Sequence, residues 1–213
     1  MKKRLILTLL FALLAPLPAA AEGDQATPAS LSAQQQNDLS RIENYLNGLR
    51  NISADFLQID DAGGIMHGSL SISRPGKMRV TYDPPNKDFI IADGTFVHLW
   101  NDDLKAQTNI EQGTSLAEFI LRSPIKLSGD VTVTKFQHFP AKIEVTLVQS
   151  SDPAAGSLTL VFEDHPLLLR QWKVLDPQGH LTGVTLQNMS TEAHFAPNTF
   201  FFVPPSFENN SKS

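Results

Sequence analysis

Residues 68–94, GSLSISRPGKMRVTYDPPNKDFIIADG, decide how the chain is read. Over residues 68–74 polar and apolar side chains alternate, with Leu70 and Ile72 on one face and Ser69, Ser71 and Ser73 on the other. That is the period of a half-buried β-strand. Pro75-Gly76 makes a turn. The return run alternates again, Met78, Val80 and Tyr82 against Lys77, Arg79 and Thr81. The pair reads as a β-hairpin with one apolar face. Arg74 shares the parity of Leu70 and Ile72, so the alternation aims a guanidinium at the rim of that face. Strands lose register at turns, which leaves a solvated turn arginine as one reading. The other is an arginine on the buried side, tying down whatever covers the apolar face. There its five donors need acceptors.

The same alternation runs through most of the chain. Strand patterns occupy residues 53–60, 65–74, 77–82, 89–92, 96–100 and 104–110, then 131–136, 143–149, 157–163, 168–175, 181–188 and 199–203. Asp93-Gly94 is a hairpin turn of the kind that supplies positive φ. Turn residues cluster at 153–156, 163–166 and 176–179. Two stretches have helical period instead. Leu39, Ile42, Leu46 and Leu49 form one stripe, opened by Ser32 and Gln35 at capping-box spacing. A shorter one, residues 114–123, carries Leu116, Phe119 and Ile120 on one side, has Ser115 and Glu118 at capping-box spacing, and stops at Pro124. Two turns of helix are marginal alone and need packing. They serve either as a plug on a sheet edge or as a lid.

Upstream, Lys2, Lys3 and Arg4 precede an apolar run over residues 5–14, two prolines and Ala19-Ala20-Ala21. This is an export signal of residues 1–21, too short to span a membrane at roughly 20 apolar residues. Removing 21 of the 213 residues leaves 192, read as a single domain over 22–213. N-terminal sequencing of the exported protein is expected to begin at Glu22. Finding Met1 retained in a membrane fraction would overturn this. Cleavage removes three basic residues and takes the formal charge from −5 to −8, which argues against nucleic acid as a partner. No cysteine is present, which excludes disulfides, thiol catalysis and thiolate metal sites.

Catalytic patterns are missing from the sequence. There is no nucleophile elbow, phosphate loop or dinucleotide fingerprint, and the six histidines do not fall at metal-ligand spacing. Asp60-Asp61 and Asp102-Asp103 sit beside turn residues and read as solvated loops. His98 reads as a packed or hairpin-surface residue. The chain is therefore read as a non-enzyme without cofactor or metal, and as a monomer.

Roughly ten strands with apolar phases face only two or three helices. Such a sheet can close into a sandwich or barrel, or remain an open half-barrel with an uncovered concave face; periodicity does not separate them. An open half-barrel that holds an apolar ligand would need a concave wall, a cover and a means of opening. Leu70, Ile72, Met78, Val80 and Tyr82 offer wall, Leu116, Phe119 and Ile120 offer cover, and Arg74 offers a latch.

The hairpin and its surroundings resemble the LolA family of periplasmic outer-membrane lipoprotein carriers. The resemblance lies in Ser53-Ala-Asp-Phe56 with Gln58, Gly68-Ser-Leu70, Arg74-Pro75-Gly76-Lys77-Met78-Arg79 and Tyr82-Asp83-Pro84-Pro85. It continues in Ile91-Ala-Asp-Gly94, Leu104 with Gln107, and Phe202-Val-Pro-Pro205. It covers most of the chain after the export signal, in order. It implies an incomplete antiparallel β-barrel with a helical lid over a hydrophobic cavity. Arg74, as the family's functional arginine, would bond the lid backbone in the closed state. It also implies a periplasmic location, acylated lipoproteins as cargo, an inner-membrane ABC transporter that loads them and, where one exists, an outer-membrane receptor. The family carries an aromatic at the position of Met78 and often at that of Val80, so cargo fit can differ here. Two other classes stay open: a carrier or sensor of another lipid or glycolipid built on the same half-barrel, and a hydrolase with an unrecognised site.

Overall fold

Strand pairing runs in one continuous antiparallel order through the described residues. The structure is a computed structural model that describes residues 25–113 and 116–205. Helix α1 (Ala33–Gly48) is followed by β1 (Asn51–Ile59), β2 (Ile65–Ser73), β3 (Lys77–Tyr82), β4 (Phe89–Asp93), β5 (Phe96–Asn101) and β6 (Ala106–Glu111). Then come β7 (Val131–Phe139), β8 (Lys142–Gln149), β9 (Ser157–Glu163), β10 (Leu168–Leu175) and β11 (Leu181–Ser190). The sheet order is β6-β5-β4-β3-β2-β1-β11-β10-β9-β8-β7. Strands β6 and β7 form the two free edges, so the sheet curls without closing. The connection between them holds a 3-10 helix, Leu116–Leu121.

Three expectations are corrected. Among the described residues there is one α-helix with short 3-10 turns, where two or three helices were expected. The 116–121 segment is 3-10 because so short a run closes with tighter bonds and relies on packing. The Ser115 half of its expected capping box lies outside the described residues, as does the export signal. Residues 199–203 form no strand: Phe201 N–H bonds the Asn198 carbonyl in a turn, and Arg79 Nη1 donates to the Thr199 carbonyl. This strap lays Phe202 against Phe89 and His98, with ring centroids 5.6 and 5.0 Å away.

Helix α1 forms as the sequence predicts. Ser32 and Gln35 make both bonds of the capping box. Ile42, Leu46 and Leu49 are buried and Leu39 packs beside them. They join Ile52, Phe56, Ile72, Phe119, Ile125, Val145 and Phe162 in one core beneath the concave face. Leu46 has no exposed surface. Replacing it with Ala is expected to cost about 2–5 kcal/mol, read as a shift in the urea midpoint.

One glycine permits a close approach at the hairpin's far end. Gly68 pairs with Phe56 on β1 and Tyr82 on β3. A Cβ there would lie 2.2 Å from the Thr81 carbonyl oxygen and 2.7 Å from the Phe56 ring. The Phe56 ring occupies the space a side chain would take and meets Tyr82 edge-on at 5.5 Å. Gly68→Ala is expected to destabilise the fold by about 1–3 kcal/mol in the same urea measurement, because a paired backbone carbonyl has nowhere to go.

Candidate functional site

The core fills only part of the concave face. Beside it lies a cavity of about 300 Å³, walled by Phe56 and Gln58 on β1, Leu70 on β2, Met78, Val80 and Tyr82 on β3, and Ile90 on β4. Trp172 and Val174 on β10, Thr182 and Val184 on β11, and Ile120 of the 3-10 helix complete it. Register explains the wall. Leu70, Val80 and Ile90 are direct cross-strand partners, one inward position from each of three adjacent strands. The few polar groups are largely matched: Tyr82 Oη donates to Gln58 Oε1 at 3.1 Å. Burial pushes the Tyr82 phenol up, with Asp88 adding to it, so the wall is uncharged at neutral pH.

Of the residues singled out in the sequence, Leu70, Met78, Val80, Tyr82 and Ile120 meet in this cavity. Ile72 and Phe119 do not line it. They share its side of the sheet but are 1 % and 0 % exposed in the core, and Leu116 packs against the same core. The residues missed are Phe56, Gln58, Ile90, Trp172, Val174, Thr182 and Val184. Their strands are legible in the sequence, but alternation within a strand does not say which distant strands share a cavity. Parity with a partner of known face becomes usable only once pairing is known.

Ile120 brings residues 116–127 to the cavity, and that segment is bonded to α1. Asn47 Nδ2 donates to the Ile125 carbonyl and Asn47 Oδ1 accepts from the Ile125 N–H, both at 2.8 Å. Glu43 Oε2 accepts from the Leu127 N–H at 2.9 Å. The two pieces are thereby joined. The Pro75-Gly76 turn holds both. Arg74 Nη1 donates to the Leu46 carbonyl near the end of α1, and the Gly76 N–H donates to the Leu121 carbonyl at 2.9 Å. Gly76 has φ +75°, which a glycine adopts without strain. The arginine therefore reaches α1, and the backbone beside it reaches the 3-10 helix. Arg74 Nε and Nη2 are buried without a hydrogen-bond partner among the described residues. Burial pushes the guanidinium down to about 10, against the opposing pull of Tyr45, and it stays protonated at neutral pH.

Among the described residues no group of His, Asp and Glu could hold a metal ion, and no helix is long and apolar enough to cross a membrane. Asp60 and Asp102 serve turns, accepting from the Gly64 N–H and from Lys105. His98 Nε2 pairs with Asp93 at 3.0 Å and its ring packs on Phe202.

The described residues thus form an unclosed antiparallel sheet with an apolar cavity, and a segment beside it is tied by hydrogen bonds to α1 and to the Pro75-Gly76 turn. The chain belongs to the LolA family: residues 47–203 match the family model described as outer membrane lipoprotein carrier protein LolA. The outer-membrane lipoprotein carrier protein of Methylococcus capsulatus is 26% identical over 175 residues, covering 78% of this chain and 84% of that protein. The carrier of Chromobacterium violaceum is 26% identical over 191 residues, with 84% and 87% covered. An uncharacterized protein of Rickettsia prowazekii is 23% identical over 179 residues, with 83% of each covered. A LolA superfamily protein from Nitrosomonas europaea superposes with a TM-score of 0.46 at 8% identity, covering 81% of this chain and 99% of that one.

Proposed function

We propose that this protein is a periplasmic carrier that takes the acyl chains of lipoproteins released from the inner membrane and delivers them to the outer membrane. The observation that carries the reading is the apolar cavity between the hairpin wall and the cover, lined by Leu70, Met78, Val80, Tyr82 and Ile120. About 300 Å³ is at the low end of what holds one small ligand. Two or three acyl chains need more, so loading moves the cover formed by α1 and residues 116–127. In this reading Arg74 is the latch of the closed state. Cargo opens it by binding the open state better. An inner-membrane ABC transporter loads the cargo, and an outer-membrane acceptor takes it up.

The test is purification from periplasm, lipid extraction and mass spectrometry, with crosslinked partners identified. Acylated proteins bound one to one are the expected result. Recovery of a phospholipid or glycolipid alone, with no lipoprotein crosslinked, would transfer the protein to another class of lipid carrier.

A further inference from the structure

The cavity wall is not apolar throughout. Its polar side chains are Gln58, Tyr82 and Thr182. All three stand at one end, on strand ends beside the turns at 60–64, 83–88 and 176–180. Register brings them together. Gln58 is opposite Val184 on β11, so Thr182 lies one inward position further towards the turn. Thr182 itself is opposite Val174 on β10. Tyr82 on β3 is opposite Gly68 on β2, and its Oη reaches past that strand to donate to Gln58 Oε1 at 3.1 Å. The bond holds the carboxamide by its oxygen. Both Nε2 protons of Gln58, and the Thr182 hydroxyl, have no hydrogen-bond partner among the described residues. Neither group is sealed in, since the buried unpartnered side-chain atoms there belong to Asp38 and Arg74. Their donors are therefore open to an occupant.

Polarity at this end is inverted. The outward neighbours Ile59, Ile65, Leu175 and Leu181 are apolar and exposed. Ile59 pairs with Ile65, and Leu175 with Leu181. A strand end that was polar only because water reaches it would carry its polar residues on the outer face. Here an amide, a phenol and a hydroxyl face inward, into an otherwise apolar cavity.

The chemistry of this end selects its occupant. Among the described residues no Lys or Arg lines the cavity. The adjoining turns carry Asp60, Asp61, Asp83, Asp88 and Asp176 against one lysine, Lys87, and Asp88 is close enough to act on the Tyr82 phenol. An anionic head group would find no cation on the wall and carboxylates beside it. A bare hydrocarbon covering Gln58 Nε2 would leave its donors unpaired, which costs binding. A neutral carbonyl oxygen satisfies both conditions, because it accepts from the amide and the hydroxyl and brings no charge.

We infer that Gln58 and Thr182 form the head-group end of the cavity and read the carbonyl of a neutral acyl ester. The hydrocarbon runs from there towards Met78 and Ile120. This deepens the carrier reading and rests on it for its use in transport, while the ligand preference belongs to the cavity itself. A site built to hydrogen-bond an acceptor rejects the analogue that lacks it. The preference is therefore for ester-linked chains over free fatty acids and over hydrocarbons.

The test compares methyl hexadecanoate, hexadecanoate and hexadecane as competitors of a neutral polarity-sensitive dye, Nile red. The parent is expected to take the ester about tenfold more tightly than either of the others. An isotope-labelled ester carbonyl should show an infrared stretch below its frequency in hydrocarbon solvent, as a hydrogen-bonded carbonyl does. Gln58→Leu should bind ester and hexadecane alike and return the stretch to its hydrocarbon value. Gln58→Glu keeps the volume and the acceptor for Tyr82 but has no donor when ionised, so it should lose the preference while the urea midpoint shows it folded. Equal affinity for ester and hexadecane in the parent, an unshifted stretch, or a preference that survives Gln58→Glu would each overturn the inference. If no lipoprotein co-purifies while the ester preference holds, the carrier reading alone fails. If lipoprotein co-purifies and the preference is absent, this inference alone fails.

Discussion

Val80→Asp is expected to abolish binding of a fluorescent fatty-acyl probe while the protein remains folded. Val80 sits in the middle of the wall, with Leu70 directly opposite on β2 and Ile90 directly opposite on β4. A carboxylate there has no partner in reach of the apolar strip and must either ionise against the acyl chain or take up a proton. An unmatched polar group in such a site costs about 1–3 kcal/mol, more if charged, so affinity should fall by about 100-fold or more. The neighbouring position supplies the control. Thr81 pairs with Ser69 and Phe89 on the opposite face of the same strands, and Thr81→Asp should bind the probe as the parent does. Circular dichroism and a urea midpoint keep unfolding apart from lost binding. Equal binding by Val80→Asp and the parent would remove Val80 from the wall.

The contrast between residues 80 and 81 also shows what the sequence could convey. Parity in 68–82 separated the two faces of β2 and β3, and in the structure Leu70, Met78, Val80 and Tyr82 share one cavity. The stripe in α1 and its Ser32 cap were equally local and equally legible. Parity could not say how deep each position lies. Ile72 is two residues from Leu70 on the same face, yet it lies outside the cavity, buried in the core that also holds Ile42, Leu46 and Phe119. Trp172 and Val184 come from strands about a hundred residues away, brought in because β1 pairs with β11 as well as with β2. That pairing is long-range and leaves no local mark. Residues 199–203 read as a strand because Phe200, Phe201, Phe202 and Val203 are good strand formers. They bind instead as an aromatic strap on the outer face, with Phe202 on His98, so packing rather than propensity decided their form.

Arg74→Leu is expected to leave loading intact and to stop delivery, without lowering the melting temperature. The Arg74 contact, the latch of the proposed closed state, is a compromise. Its one bond to the Leu46 carbonyl, charge-assisted, contributes about 1.5–3 kcal/mol. Against this stand two buried donors, Nε and Nη2, without partners among the described residues, each costing about 1–3 kcal/mol. Leucine removes both terms and adds apolar contact, and the Leu46 carbonyl keeps the Leu49 N–H at 3.2 Å. Buried charges replaced by hydrophobic groups are often neutral or stabilising, so thermal stability should hold or rise. The directional bond between hairpin and α1 is what disappears. In the proposed mechanism that bond competes with cargo for the closed state and favours release; without it the loaded, open state has no rival, and cargo is held. Arg74→Lys should recover delivery only in part, because an ammonium lacks the guanidinium's planar fork and is more strongly hydrated. The assay loads acylated lipoprotein onto each protein and follows transfer to outer-membrane vesicles. Normal loading with delivery reduced about tenfold or more in Arg74→Leu, and an intermediate value in Arg74→Lys, is the expected pattern. Delivery by Arg74→Leu at the parent rate would show that the Leu46 contact is structural and that opening is governed elsewhere in the cover.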